Sequence, residues 1–379
     1  MKIEQNRWTE AGGWEPRTPG QLGESADLVL LFGSTAVFKK RSSTASLQEA
    51  YPKALILGCS TAGEICGTQV TDEALVATAV DFEATQIKGA CVKMADVENS
   101  YQAGKQLAES LDKQGLVHVF VLSDGLQVNG SELVSGLTKH LPPEVIVTGG
   151  LSGDGARFQE TLVMCGGTPE PGTVAVLGLY GDRLKIGYGS LGGWDSFGPE
   201  RLVTKAHANV LYELDGKPAL DLYKQYLGDH AKGLPATGLL FPLSLRAKEG
   251  DTGVVRTILS VNEAERSMTF AGDVPVGSYV RLMKANFERL IDGAAGAAKA
   301  CHQGIGSSSP DLAVLISCVG RKLVLKQRIE EEVEGVRDVL GEHAVLTGFY
   351  SYGEISPFTR SAKCELHNQT MTITTFSES

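Results

Sequence analysis

Two copies of a glycine-turn motif carry most of the residues that could do chemistry in this chain. Gly58–Ile65 reads GCSTAGEI and Gly348–Ile355 reads GFYSYGEI. Gly, Gly, Glu and Ile recur in step, and Thr61 falls opposite Ser351. Glycines admit positive φ and let a ligand come close to backbone amides. Hydroxyls and amides then donate to an anion or carboxylate, while a glutamate accepts from an amine or hydroxyl. The candidate ligand-binding residues are therefore Cys59, Ser60, Thr61 and Glu64 in the first copy and Ser351, Tyr352 and Glu354 in the second. The same turn can instead direct its hydroxyls to its own backbone, with Glu64 held by a neighbouring arginine. Local spacing leaves both readings open.

Signals for catalysis are thin, and no residue is assigned a catalytic role. There is no phosphate-cradling P-loop, no H-E-x-x-H and no G-x-S-x-G elbow. Gly187–Gly192 satisfies G-x-G-x-x-G, but GWDSFGP follows it and cannot open a helix, so the dinucleotide reading fails its context. An enzyme using Cys59 as nucleophile, with Ser60 and Glu64 as helpers, is the alternative. A small buried cysteine at a strand end is the more ordinary role for Cys59.

The seven cysteines are scattered without a C-x-x-C pair, which argues against disulfide staples and a structural zinc site. The seven histidines include no H-x-x-x-H pair. A single imidazole still suffices as an axial ligand to haem iron, and without C-x-x-C-H the haem would be non-covalent haem b. His367, before the alternating segment QTMTITTF and near Cys364, and His118, inside the apolar run VHVFVL, are the axial candidates. No metal beyond haem iron is expected.

Short apolar runs alternating with helical patterns must position these residues. Asp27–Phe32, Ala54–Leu57, Ala74–Val80, Val117–Leu122 and Val145–Thr148 read as strands, the first and fourth buried on both faces. Residues 100–114 read as a helix capped by Asn99 or Ser100 and ended by Gly115. Leu325, Ile329, Val333, Val336 and Leu340 mark a second amphipathic helix before Gly341. Residues 285–301 are helical but rich in small residues; Gly293, Gly296 and Ala297 would let another backbone come close, as in tight packing against a sheet, or alternatively a flat ligand. Each motif copy follows a strand opened by Asp-Leu, and a looser third copy joins VHVFVL to GGLSGDG at Gly149–Gly155. A repeated strand–helix–strand–glycine turn unit accounts for this. It predicts an α/β fold of two related domains, each with mixed β-sheet packed against helices. Residues 1–25 read as an irregular lead-in.

The chain has 379 residues, 42% hydrophobic and 21% charged, enough for two ordinary domains with sizeable cores. Its net charge of −10 repels phosphate backbones and argues against nucleic acid as the partner. The polar N-terminus lacks a signal-peptide core and no apolar run is long enough to span a membrane, so a cytoplasmic location is expected.

Several of these segments together resemble the FIST family. GCSTAGEI is similar to the FIST N-terminal signature. GWDSFGPERLVT with NVLYELDGKPALDLY resembles the stretch leading into the FIST C-terminal domain, and GFYSYGEISP resembles the C-terminal signature. The resemblance runs from about residue 26 to the end, implying an N-terminal-like domain over 26–220 and a C-terminal-like domain over 221–379. It implies a sensory module of prokaryotic signal transduction that binds small ligands such as amino acids. Stand-alone two-domain members include haem-binding nitric oxide sensors that regulate a separate histidine kinase in a two-component system. The resemblance thus implies haem as cofactor, a gas or metabolite as ligand and a sensor kinase as partner. An amino-acid or metabolite regulator without haem is the alternative.

Overall fold

The computed structural model describes residues 1–247, 253–305, 309–358 and 362–378, with side chains at 41–43 and 304–305 left aside. Three strand–helix–strand units organise it. In the first unit Leu28–Gly33 pairs in parallel with Leu55–Ser60 and antiparallel with Leu75–Asp81. The second repeats this with Leu116–Ser123, Ile146–Leu151 and Thr173–Tyr180. The third uses Leu312–Cys318, Val345–Ser351 and Met371–Glu378. The register is equivalent in all three. Gly58 lies opposite Leu31, Gly149 opposite Val121 and Gly348 opposite Leu315. A Cβ at any of these glycines would overlap the facing carbonyl oxygen.

The mixed sheets packed with helices match the predicted class, and the repeat has three members where the sequence suggested two halves and a looser copy. The units are also interlocked. The strand leaving each glycine turn adds to the sheet of another unit. Glu64–Cys66 pairs with Val345–Ser351, Val163–Cys165 with Leu55–Ser60, and Gly353–Pro357 with Ile146–Leu151. The ring closes on a shared apolar core in which Leu28, Leu30, Phe120, Leu177, Leu312 and Val314 surround a void of only about 10 Å³.

Residues 1–25 depart from the irregular lead-in expected of them. Lys2–Thr9 forms a strand against Leu75–Asp81, and Gly13–Glu15 pairs back onto it. Its polar sequence hid it, because Glu4 and Asn6 are buried and Glu4 accepts from Gly20 N and Leu22 N.

Helices cover the outer faces. Ser100–Ser110 is capped by Asn99, which accepts from Gln102 N at 2.9 Å. It ends before Gly115, since Leu111 already turns extended. Ile329–Leu340 buries Val333, Val336 and Leu340, each stabilising by about 1.5–3 kcal/mol. The small-residue segment is the helix Phe287–Ile305, and it lies on Leu184–Leu191. A Cβ at Gly187 or Gly189 would strike the carbonyls of Cys301 or Ala297. The formal G-x-G-x-x-G and the small-residue helix are therefore two sides of one close contact.

Between these two elements the described residues of 195–247 and 253–284 contribute an eight-stranded antiparallel sheet with its own core around Val203, Tyr223, Met268, Phe270 and Leu282. Among the described residues no helix is long and apolar enough to cross a membrane.

Candidate functional site

The three glycine turns sit at the carboxyl ends of the parallel strand pairs and meet at one place. Gly153 N donates to Ser60 O at 2.9 Å and Gly155 N to Thr61 O at 3.2 Å. Ala62 N donates to Tyr350 O at 2.8 Å, and Tyr352 N to Leu151 O at 3.2 Å. All seven predicted ligand-binding residues are brought to this junction, and all are buried there. Ser60 Oγ donates to Gly153 O at 2.8 Å and accepts from Leu162 N at 2.9 Å. Tyr352 stacks on Phe158 with ring centroids 4.3 Å apart, and its hydroxyl donates to Gly155 O at 3.2 Å. Burial pushes the Cys59 thiol well up, so it stays a thiol at neutral pH. An open groove of about 360 Å³ is lined by Arg7, Glu15, Pro16, Cys66 and Gln69, none of them predicted site residues.

The two motif glutamates have matching environments. Thr61 Oγ1 and Glu64 Oε1 are 2.5 Å apart, and Ala74 N donates to Oε2 at 3.1 Å. Ser351 Oγ and Glu354 Oε1 are 2.6 Å apart, and Thr370 N and Oγ1 donate to Oε2 at 3.1 and 2.9 Å. Burial raises both carboxyls from 4.5 to about 8, against the lowering by these donors. Ser351 Oγ is the donor toward Glu354 Oε1 and also lies 3.3 Å from Ser317 O.

A pH dependence follows. The unfolded chain ionises these groups near 4.5, whereas the folded chain keeps its protons to about 8. Their contribution to stability is complete below 4.5 and is lost as pH rises through 8. Urea midpoints measured from pH 5 to 9 should fall with pH in the wild type. Glu64→Gln and Glu354→Gln, which keep the hydrogen-bond pattern, should each flatten that slope. An unchanged slope in both variants would show that the carboxyls are ionised in the folded state.

The second turn differs because its acid is ionised. Burial raises the Asp154 carboxyl, but Arg157, Thr35 and Glu160 N outweigh it and hold it below its usual range. Thr35 Oγ1 donates to Oδ1 at 2.8 Å and Glu160 N to Oδ2 at 3.2 Å. Above this turn Arg157 and Phe158 are exposed, as is Leu126 beside it.

The two axial candidates do not come together. His118 is fully buried, its Nε2 3.0 Å from Thr148 Oγ1 and its ring edge-on to Phe376, which lines the 10 Å³ void. His367 is buried with Nε2 2.8 Å from Ser356 O and its ring beside Phe358. Burial lowers both imidazoles, to about 3 and about 4, leaving each neutral and chemically able to ligate iron. The surroundings do not fit haem in this conformation: a porphyrin far exceeds the void at His118, and at His367 the facing nitrogen is engaged and the ring packed.

The most unusual chemistry lies on the loop after His367. Asn368 is fully buried, and neither its amide oxygen nor its nitrogen has a partner. Gln369 Oε1 and His367 Nδ1, also buried, lack partners too. Orphaned groups of this kind cost about 1–3 kcal/mol each unless water or a ligand serves them. The loop is clamped between the third turn and the eight-stranded sheet. Thr370 binds Glu354, Trp194 Nε1 donates to Gln369 O at 2.8 Å, and Arg256 Nη1 donates to Leu366 O at 3.0 Å. Thr257, next to Arg256, also has a buried unpartnered hydroxyl. Sequence reasoning marked His367 and missed its neighbours, because an amide before a strand looks like any turn residue.

Comparison with known proteins gives a consistent picture. A family model described as the FIST N domain matches residues 27–217, and one described as the FIST C domain matches residues 219–357. An uncharacterized protein of Methanocaldococcus jannaschii is 26% identical over 336 residues, covering 81% of this chain and 62% of that protein. The chain thus spans about three fifths of the curated relative it matches. Among solved structures, the crystal structure of a cyanuric acid hydrolase from A. caulinodans aligns over 78% of this chain and 99% of that one. Its identity is 11% and its TM-score 0.19, a likeness that carries no argument.

Proposed function

Because the chain belongs to the FIST family, we propose that it is a ligand-responsive sensor whose state is read by a separate signalling protein. FIST domains are sensor modules of signal transduction. The observation that carries the ligand assignment is Asn368, a buried amide whose donors and acceptor all lack partners. Its chain neighbours add two more buried unpartnered atoms, Gln369 Oε1 and His367 Nδ1, at the border where Arg256 of the eight-stranded sheet meets Leu366 O of the third unit. Borders between domains are where small-ligand sites are commonly built. The ligand class is a small polar molecule with both donors and acceptors, such as an amino acid or related metabolite.

Binding there would bias two arrangements of the sheet on the core. The contacts that hold the present arrangement include Arg256 to Leu366 O, Gln369 Nε2 to Leu239 O at 3.4 Å, Asn129 Nδ2 to Asp273 Oδ1 at 3.1 Å, the Asp195–Arg289 ion pair and the packing of Met283 on Leu290. A partner such as a sensor histidine kinase would then read the displaced face.

Thermal unfolding with a panel of amino acids and small carboxylates tests this. A true ligand at a hundredfold over its Kd should stabilise the wild type by about 2.7 kcal/mol. Asn368→Leu should weaken that ligand at least tenfold while matching or exceeding the stability of the unliganded wild type, since it removes an orphaned amide. No shift with any compound would overturn the ligand class. A Soret band on haem addition that moves with nitric oxide and vanishes in His367→Ala would transfer the role to haem.

A further inference from the structure

Folding brings two of the scattered cysteines together. Cys91 is exposed on the Gln86–Lys93 strand, and Cys165 ends the Val163–Cys165 strand partly exposed. Their strands touch, which brings the two thiols close enough to influence each other. Independent contacts hold the two segments side by side. Lys93, two positions along the strand on the same face as Cys91, pairs with Glu170 at 2.5 Å. Met94 N donates to Gly172 O at 2.7 Å, and the Leu55 side chain sits over both Gly89 and Gly166. The two strands belong to different sheets, one paired with Thr173–Tyr180 and the other with Leu55–Ser60.

We propose that Cys91 and Cys165 are a peroxide-responsive dithiol that closes into a reversible disulfide. The Cys91 thiolate attacks one oxygen of hydrogen peroxide and the O–O bond breaks. Cys91 becomes a sulfenic acid, and the departing hydroxide takes up a proton as water. The Cys165 sulfur then attacks the Cys91 sulfur, forming S–S and breaking S–O. That hydroxide leaves as water with the Cys165 proton. In sum, two thiols and one hydrogen peroxide give one disulfide and two waters, with two electrons passing from sulfur to peroxide. The partners are unequal in the way this order requires. Cys91 is the accessible one, whereas burial and then the adjacent Cys91 push the Cys165 thiol up to about 12 and keep it protonated until the second step. The Val163–Cys165 strand continues from the turn that carries Asp154 and Phe158. The bond would therefore pin that turn to the edge of the second sheet.

Treatment of the full chain with hydrogen peroxide, followed by intact mass and peptide mapping, tests the proposal. The expected product is a monomer lighter by roughly 2 Da, with Cys91 and Cys165 in one cross-linked peptide pair, restored by dithiothreitol. Cys165→Ser should stop at oxygen adducts on Cys91, and Cys91→Ser, a change at an exposed position, should stay unmodified at Cys165. Oxygen adducts on Cys91 in the wild type without the internal cross-link, or cross-linking through other cysteines or between chains, would overturn it.

Discussion

Replacing Arg321 by methionine should destabilise the folded chain by about 3–5 kcal/mol, the cost typical of breaking a buried ion pair from one side. Arg321 and Glu332 are both fully buried and meet at 2.7 Å. The guanidinium also donates to Leu290 O at 2.6 Å and Gly192 O at 2.5 Å, so it links three otherwise separate segments. Glu332 in turn accepts from Ser317 Oγ at 3.0 Å and Tyr350 Oη at 2.8 Å. With the arginine gone, the glutamate charge remains in the interior and the carbonyls lose their donors. Urea unfolding of Arg321→Met, Glu332→Met and the double variant separates the terms. The double variant should be more stable than Arg321→Met because the unpaired charge is absent. It should remain below wild type because the carbonyls are still unserved. A single variant within 1 kcal/mol of wild type would mean that water reaches the pair.

The second large effect concerns the turns. Gly149→Ala and Gly348→Ala should each cost about 3 kcal/mol or more, from backbone strain and overlap together. Both glycines have φ values only glycine adopts readily, 151° and 157°. Their added methyls would enter the carbonyl oxygens of Val121 and Leu315, in the register that holds the parallel strands. Gly167→Ala is the control, since nothing lies within 4 Å of a Cβ there. It should change stability by no more than about 0.5 kcal/mol. Equal midpoints for all three variants would remove the register argument.

Much of the fold was readable because its signals are local. Runs such as VHVFVL and DLVLLF are continuous because both faces of Leu116–Ser123 and Leu28–Gly33 are covered. The echo between GCSTAGEI and GFYSYGEI reflects a shared register, and GGLSGDG belongs with them although its acid is Asp154. The exchange of strands was not readable. Glu64–Cys66 and Val163–Cys165 have three residues each, too few for periodicity, and their partners are distant in sequence. Lys2–Thr9 was missed because its buried side chains are polar ones held by backbone amides. The turn residues were found, but a sequence cannot say whether a hydroxyl serves a ligand or a carbonyl of another unit. Ser60 serves Gly153 O of the second unit, whereas Ser351 meets Glu354 and Ser317 O within its own. Asn368 has no pattern at all; its interest arises only from what surrounds it.

The borrowing of strands around the ring has a practical corollary for anyone dissecting this molecule. A cut between the two family segments, at residue 218, would strip the first turn's strand of its host and bare the Gly149–Leu151 flank. Bared flanks recruit other chains. The halves are thus poor candidates for separate expression, and a perturbation at any one turn is mechanically the business of the other two.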